Sequence, residues 1–223
     1  MSPAAPSGST SPRGDRRRED ILSALDERLK TTALDDISVA DLTEAAGITR
    51  SAFYFYFDSK AAAVSMLLVV VNKEAGEAID IIVGGEGDFR RRVTAGLTRL
   101  IDRVLEVDHI YRALLTARTK HEPTREMWDA GRRYNAAPVA DFIRAERAAG
   151  RAPDGADAQS LAEGLMQLNQ QILERVVYEP GAPRDALLAI TTDMWVRTVY
   201  GRIDPAVDPA GATDAALTAG SAE

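Results

Sequence analysis

The chain contains no cysteine in its 223 residues and only two histidines, His109 and His121. Without thiols there is no disulfide framework and no thiolate metal site, and two isolated imidazoles do not make a histidine cluster. Metal chemistry is not expected, and no cofactor is called for. Long hydrophobic runs are missing as well. The longest, Ala61 to Val71 with one serine inside it, is about half of the roughly 20 residues a membrane-spanning helix needs, so it reads as a buried helix and no membrane partner is expected. Nor is there an excess of positive charge. A formal net charge of −7 favours solubility and gives no global attraction to phosphate, so nucleic-acid binding has to come from a local basic surface. The first dozen residues are rich in Ser, Pro, Ala and Gly and lack the apolar stretch of a secretory signal, which places the protein in the cytoplasm. Residues 1–14 and 203–223 read as disordered, low-complexity tails.

Sustained alternation of apolar and polar residues is also absent. Apolar positions recur at three- and four-residue spacing instead, so the expected class is all-α. The first helix is expected from about Arg16, burying Ile21, Leu25 and Leu29. Ser38 offers an N-cap with Asp41 as its capping-box partner, and Val39, Leu42 and Ala46 supply the apolar stripe of a short second helix. Gly47 can end that helix in the left-handed conformation, and Thr49 can cap a third running through Phe57. Two short helices joined by a three-residue turn read as a helix-turn-helix. A longer fourth helix, capped by Asp58 or Ser59, runs to about Val83 and stops at Gly84, Gly85 and Gly87. Further helices are expected at Phe89–Leu105, Ile110–Thr119, Thr124–Ala149, Ala156–Tyr178 and Arg184–Tyr200, with Pro138 kinking or shortening one of them. We divide the chain into a helix-turn-helix domain at 15–62 and a larger helical domain at 63–202.

The segment ISVADLTEAAGITRSAFYFYFDSK, Ile37 to Lys60, carries the functional information. In a helix beginning at Thr49, Phe53 and Phe57 are four apart and face inward, while Arg50 and Tyr54 share a face able to meet a ligand. Tyr54 and Tyr56 are either core or DNA contacts; a phenol that donates to phosphate while its ring shields the contact favours the latter. Thr49 and Ser51 at the helix start suit phosphate or base edges, and Thr49 also caps. Arg50 can read a guanine or touch a phosphate, and Lys60 can clamp a phosphate; either is otherwise an ordinary solvated charge. The cluster Arg13, Arg16, Arg17 and Arg18 can reach the DNA backbone or minor groove as a flexible arm. With Val39 at the start of the second helix, the candidate DNA-contacting set is Val39, Thr49, Arg50, Ser51, Tyr54, Tyr56 and Lys60.

From Arg16 to about Leu68, and most specifically in GITRSAFYFYF and DSK, the chain resembles the TetR family of bacterial regulators. It departs from the family pattern at Thr43, where a small alanine is usual, and at Asp58, where proline is common. A closer resemblance, to the EthR-type repressors of mycobacteria, extends through Trp128, FIRAERAAGRAP, GLMQLNQQIL and MWVRTVYG. This resemblance implies a homodimer paired through the last two helices, with an apolar ligand tunnel beside them lined by Gly96, Leu100, Val104, Trp128, Phe142, Met166, Asn169, Leu173 and Trp195. Asn169, a lone amide on an apolar face, either orients a ligand or bonds to backbone. Large aromatic residues of the mycobacterial tunnel correspond to Val93, Arg132, Asn135 and Pro138, which makes this pocket less aromatic and either more polar or narrower.

The expected function is a one-component regulator, a repressor of a near-palindromic double-stranded operator released by a small, mostly apolar effector. Two other classes compete. A helical enzyme lacks support, since there is no Gly-rich phosphate loop, no nucleophile with its base and no metal spacing. A helical protein-interaction or small-molecule-binding module would dock its aromatic helix in a protein groove, with little salt dependence, whereas DNA binding through several cations falls steeply with ionic strength.

Overall fold

The computed structural model describes residues 12–201, and among them the chain is all-α. The helices are α1 (Pro12–Leu29), α2 (Val39–Ala45), α3 (Arg50–Tyr56), α4 (Lys60–Ser65), α5 (Leu68–Gly84), α6 (Phe89–Glu106), α7 (Asp108–Lys120), α8 (Glu122–Ala148), α9 (Ala158–Tyr178) and α10 (Arg184–Tyr200). Helices α1–α3 form a head with helix-turn-helix arrangement. In the larger bundle, α5 packs on α6 and α8, α8 on α9, and α10 on α6 and α9. Residues 1–11 and 202–223, and so nearly all of both expected tails, lie outside the described residues.

Local chemistry sets most of the boundaries. Ser38 and Asp41 form the reciprocal capping box, with Asp41 N–H donating to Ser38 Oγ at 3.1 Å and Ser38 N–H to Asp41 Oδ2 at 2.9 Å. Hydroxyl or carboxylate caps also start α3, α4, α6 and α9 at Thr49, Ser59, Asp88 and Asp157. Thr43 is buried and donates its hydroxyl to the Ala40 carbonyl at 2.9 Å, so the departure at this position leaves no unpaired polar group.

Two expectations are corrected. Helix α1 begins at Pro12 and not near Arg16, which fits the preference of proline for a first helical turn. Arg13, Arg16, Arg17 and Arg18 therefore belong to a helix and not to a flexible arm. The long fourth helix is two helices: Met66 and Leu67 N–H groups bond to Ala63 and Val64 carbonyls at 3.1 and 2.8 Å, a tightened i→i−3 turn between α4 and α5. Ser65 is at the break: its hydroxyl donates back to Ala61 at 2.7 Å and meets the buried Thr124 hydroxyl at 2.5 Å, a back-bonding pattern that goes with helix bending. Of the two effects expected of Pro138, shortening does not occur: α8 runs through it to Ala148, with Pro138 on the exposed side of the helix.

The apolar core is continuous between head and bundle. Ile21, Leu25, Leu42, Phe53 and Val64 belong to one buried cluster with Leu68, Leu100, Tyr111, Leu114, Trp128 and Leu173. A second cluster, around Val93, Ala140, Ile143 and Trp195, fills the far end of the bundle. Polar links reinforce the junction: His109 Nε2 is 2.8 Å from Asp26 Oδ1, and Lys120 donates to Asp35 at 2.6 Å.

Candidate DNA-binding head and ligand cavity

The turn between α2 and α3 is built by Gly47 at φ 62°, a left-handed conformation that a side chain strains. The Ile48 N–H bonds to the Thr43 carbonyl at 2.9 Å and the Gly47 N–H to Glu44 at 3.2 Å, the paired bonds of a Schellman ending. One residue on, Thr49 Oγ1 accepts from Ala52 N–H at 3.2 Å and starts α3. An N-cap of this kind contributes about 0.5–2 kcal/mol, and here it also fixes the direction in which α3 leaves the turn.

Helix α3 divides its residues sharply. Phe53 and Phe57 are buried and pack ring to ring. Arg50, Ser51 and Tyr54 stand out, with the Arg50 guanidinium 5.8 Å from the Tyr54 ring centroid. The most prominent side chain is Phe55, 81% exposed, a residue outside the candidate DNA-contacting set. At 100° per residue it lies roughly 200° from Phe53, so the periodicity that places Phe53 inside also places Phe55 outside. Tyr56 is only about 60° from Phe53 on the same count and is half-buried against the core, as is Val39. Arg18 covers the Phe57 ring at 5.6 Å, while Arg16 and Arg17 are exposed.

Lys60 has a different task from the one expected. Its ammonium donates to the carbonyls of Leu34 at 2.7 Å, Asp35 at 3.2 Å and Ile37. An ammonium has three N–H donors. All three are occupied, and they fasten the start of α4 to the loop before α2.

The bundle encloses a cavity of about 80 Å³ between α5, α6, α7, α8 and α9, several times the roughly 10–15 Å³ that one water requires on this measure. Five of the nine expected ligand residues line it: Leu100, Trp128, Met166, Asn169 and Leu173. The other four do not. Gly96 is where α6 crosses α5; a Cβ there would come within 2.7 Å of the Ala78 carbonyl and the Ile82 side chain. Val104 is fully buried in the core, and Phe142 stacks on Phe89 at 5.1 Å. Trp195 is fully buried and donates its indole N–H to Asn169 Oδ1 at 3.0 Å. The Asn169 amide thus joins α9 to α10 through an indole, neither a ligand nor backbone.

Of the four positions expected to make the pocket less aromatic, Arg132 and Asn135 do line the cavity, whereas Val93 is core and Pro138 is exposed. The lining is mixed in character. Leu68, Val71 and Ile79 of α5 give it an apolar wall. Trp128 donates to Gln170 at 3.1 Å, and Gln170 in turn to Glu174 at 2.7 Å. Two buried polar atoms on lining residues have no hydrogen-bond partner in the protein, Tyr111 Oη and Arg132 Nε. Burial raises the Tyr111 phenol far above the ordinary tyrosine value, so it stays protonated. Among the described residues no group of three or more His, Asp or Glu side chains converges as a metal site, and no single helix is long and apolar enough to cross a membrane.

Residues 21–64 match the family model described as bacterial regulatory proteins, tetR family, and residues 93–201 match that of the transcriptional regulator EthR, C-terminal domain. The chain is 31% identical over 198 residues to the HTH-type transcriptional regulator EthR of Mycolicibacterium smegmatis, covering 87% of this chain and 91% of the relative. The chain belongs to the TetR family. It is likewise 32% identical over 194 residues to EthR of Mycobacterium tuberculosis, covering 85% and 90% of the two chains. More distant structures share the TetR fold. Salmonella enterica GusR superposes with a TM-score of 0.65 at 13% identity over 86% of this chain and 98% of its own. Reduced E. coli NemR gives 0.59 at 17% identity over 84% and 100%. As a TetR-family member the chain is a DNA-binding transcriptional regulator with a ligand-binding helical domain.

Proposed function

We propose that this TetR-family chain is a repressor that binds a near-palindromic operator as a homodimer and is released when a small, mostly apolar molecule enters the cavity. The single observation that carries the DNA half of this reading is the outer face of α3. Arg50, Ser51, Tyr54 and Phe55 project from a helix whose other large side chains are anchored in the head. Arginine and serine supply donors for base edges and phosphates, and aromatic rings can meet thymine methyls. Thr49 adds a hydroxyl at the helix start, and the exposed Arg16 and Arg17 of α1 add positive charge to the head. Val39 and Tyr56 contribute from the sides of the head, and Lys60 contributes through the loop it holds.

Dimerisation is read from α9 and α10. Gly164, Gln167 and Gln171 are exposed on α9, and Ile190 and Met194 are 58% and 45% exposed on α10, four residues apart on one face. Apolar side chains in register on an outward helix face favour pairing with a second copy. Residues 15–62 then act as the DNA head and 63–202 as the sensing and pairing domain. Two recognition helices must match half-sites about one helical turn apart, so a ligand that favours a dimer with mis-spaced heads releases the DNA.

The test is fluorescence anisotropy of the full chain against the intergenic DNA beside its own gene, with a scrambled duplex as control. Specific binding that falls steeply with salt is expected, and Arg50→Ala and Tyr54→Phe should each weaken it. Losing one hydrogen bond of about 0.5–1.5 kcal/mol predicts a loss of roughly 2- to 12-fold for Tyr54→Phe. Salt-independent binding, or no preference in a genome-wide fragment selection, would overturn the reading.

A further inference from the structure

The seam between α5 and α8 holds two asparagine amides that the protein leaves without partners. Asn72 and Gly76 are four apart on α5, as are Gly131 and Asn135 on α8, and the two pairs interlock. A Cβ at Gly131 would come within 2.6 Å of Asn72 Nδ2 and 2.7 Å of its Oδ1, and one at Gly76 would be 3.7 Å from Asn135 Oδ1. The bare Gly131 backbone therefore carries the Asn72 amide, and the Asn135 amide faces α5 at Gly76. Residues at this spacing are about 5–6 Å apart, so the two amides follow each other by one helical turn. Both asparagines line the cavity, and Asn135 is only 7% exposed. Among the described residues neither side chain makes a hydrogen bond. The sealed atoms without a partner are Arg92 Nε, Tyr111 Oη and Arg132 Nε, so the Asn135 amide is unpartnered and yet accessible from the space it lines. An amide offers both donors and acceptors, and a buried one left unpaired is costly. We propose that Asn135 is the polar recognition point of this cavity, and that its ligand is a neutral molecule whose apolar body carries a carboxamide-type group, an acceptor carbonyl beside a donor N–H. Asn72 is the second partner, one turn away. This inference rests on the cavity being the sensing site proposed above.

The rest of the lining favours a neutral group. Arg132 is the one charged side chain among the lining residues, and Asp129 Oδ1 is 3.0 Å from its Nη2, so an ionic ligand finds no unpaired counter-charge on the wall. Burying an ion without such a partner is far costlier than burying an amide that is hydrogen-bonded. The other amides of the wall are engaged: Asn169 Oδ1 accepts from Trp195, and Gln170 accepts from Trp128 and donates to Glu174. The apolar requirement comes from Leu68, Val71, Ile79 and Leu173, which present no polar side-chain atom to the ligand. An open amide set in an apolar wall fixes the orientation of a ligand without demanding a charge on it.

Isothermal titration of the full-length protein with octanamide, methyl octanoate, sodium octanoate and octylamine tests the assignment, with Asn135→Leu and Asn72→Ala alongside. The wild type should bind octanamide about fivefold or more tightly than the ester, which lacks the N–H, and bind both ions more weakly still. Asn135→Leu, close to isosteric, should lose roughly 2- to 12-fold for octanamide, the worth of one hydrogen bond, and change the ester less than about twofold. The ligand-free melting temperature separates recognition from structure. Asn135 has no protein partner to strand, so Asn135→Leu should melt no lower than the wild type. Asn72→Ala should lose a smaller factor for octanamide, and it decides the matter if Asn135→Leu does not fold. A lower ligand-free melting temperature with the amide preference intact, equal binding of amide and ester, a preference for either ion, or no binding of any of the four would overturn the inference. Operator binding is measured on the same preparations. Specific operator binding without amide preference removes this inference and leaves the regulator reading; amide preference without operator binding does the reverse.

Discussion

Replacing Lys60 separates two tasks that its place in the sequence cannot distinguish. Lys60→Met keeps most of the aliphatic stem and removes the three donors that hold the carbonyls of Leu34, Asp35 and Ile37. A hydrogen bond from a charged donor is worth about 1.5–3 kcal/mol. The three are not additive, and water can replace the ammonium at the exposed Asp35 carbonyl. The part-buried Leu34 and Ile37 carbonyls dominate, so a loss of about 2–4 kcal/mol is expected. At about 2–4 °C per kcal/mol for a chain of this size, the melting temperature should fall by roughly 4–16 °C. Circular dichroism melts give that number. Anisotropy titrations in increasing salt, well below the variant's melting temperature, give the second. A lysine on a phosphate contributes about 0.9 to the logarithmic salt slope, so with Lys60 engaged inside the head the slope should stay the same. A melting temperature unchanged within about 2 °C, together with a slope smaller by about 0.9, would refute the internal role and return Lys60 to the DNA.

Gly96→Ala should destabilise by about 1–3 kcal/mol in urea unfolding through overpacking, because its Cβ would come within 2.7 Å of the Ala78 carbonyl and Ile82 where α6 crosses α5. Asn169→Leu strands the buried Trp195 indole N–H and should cost about 1–3 kcal/mol in the same assay, even with no ligand present. The lock between α8 and α10 sets two pH limits. Arg151, aided by the Tyr200 hydroxyl, holds the Glu146 carboxyl below the ordinary range, so its contribution is present above the ordinary carboxylate value and lost as pH falls through the depressed one. Burial and Glu146 push the Tyr200 phenol up to about 12, so its contribution is complete below the ordinary value of about 10 and lost as pH rises through the folded one. Urea midpoints measured against pH should show both limbs, and Tyr200→Phe should reduce the alkaline one, of which the buried Tyr111 and the raised Tyr178 phenol keep the remainder.

What could be read in the sequence was the chemistry acting within a few residues. Ser38 with Asp41, Thr49 and Ser59 cap helices as their types and spacing require, and Ile21, Leu25, Leu29, Phe53 and Phe57 are buried as periodicity requires. The misses have partners far along the chain. Ala61 to Val71 contains no local breaker, and the turn at Met66 coincides with Ser65 meeting Thr124, 59 residues away. The Asn169 amide looked like a ligand group because the indole that occupies it is on another helix. Lys60 looked like a phosphate clamp because a sequence gives no sign of three carbonyls converging from 23 to 26 residues upstream. Phe55 was within reach of local reasoning, since the wheel that buries Phe53 turns Phe55 outward. The cavity could be read only as a list of positions, and which of them line it depends on where α5 and α6 cross.

The turn at Met66–Leu67 bears on how far a signal must travel. Leu68, the first residue of α5, is both a member of the head's buried cluster and a wall of the cavity. Under the release mechanism proposed above, a molecule that wedges α5 away from α8 would act within one residue of the break between α4 and α5, because the proposed sensing cavity and the joint share Leu68.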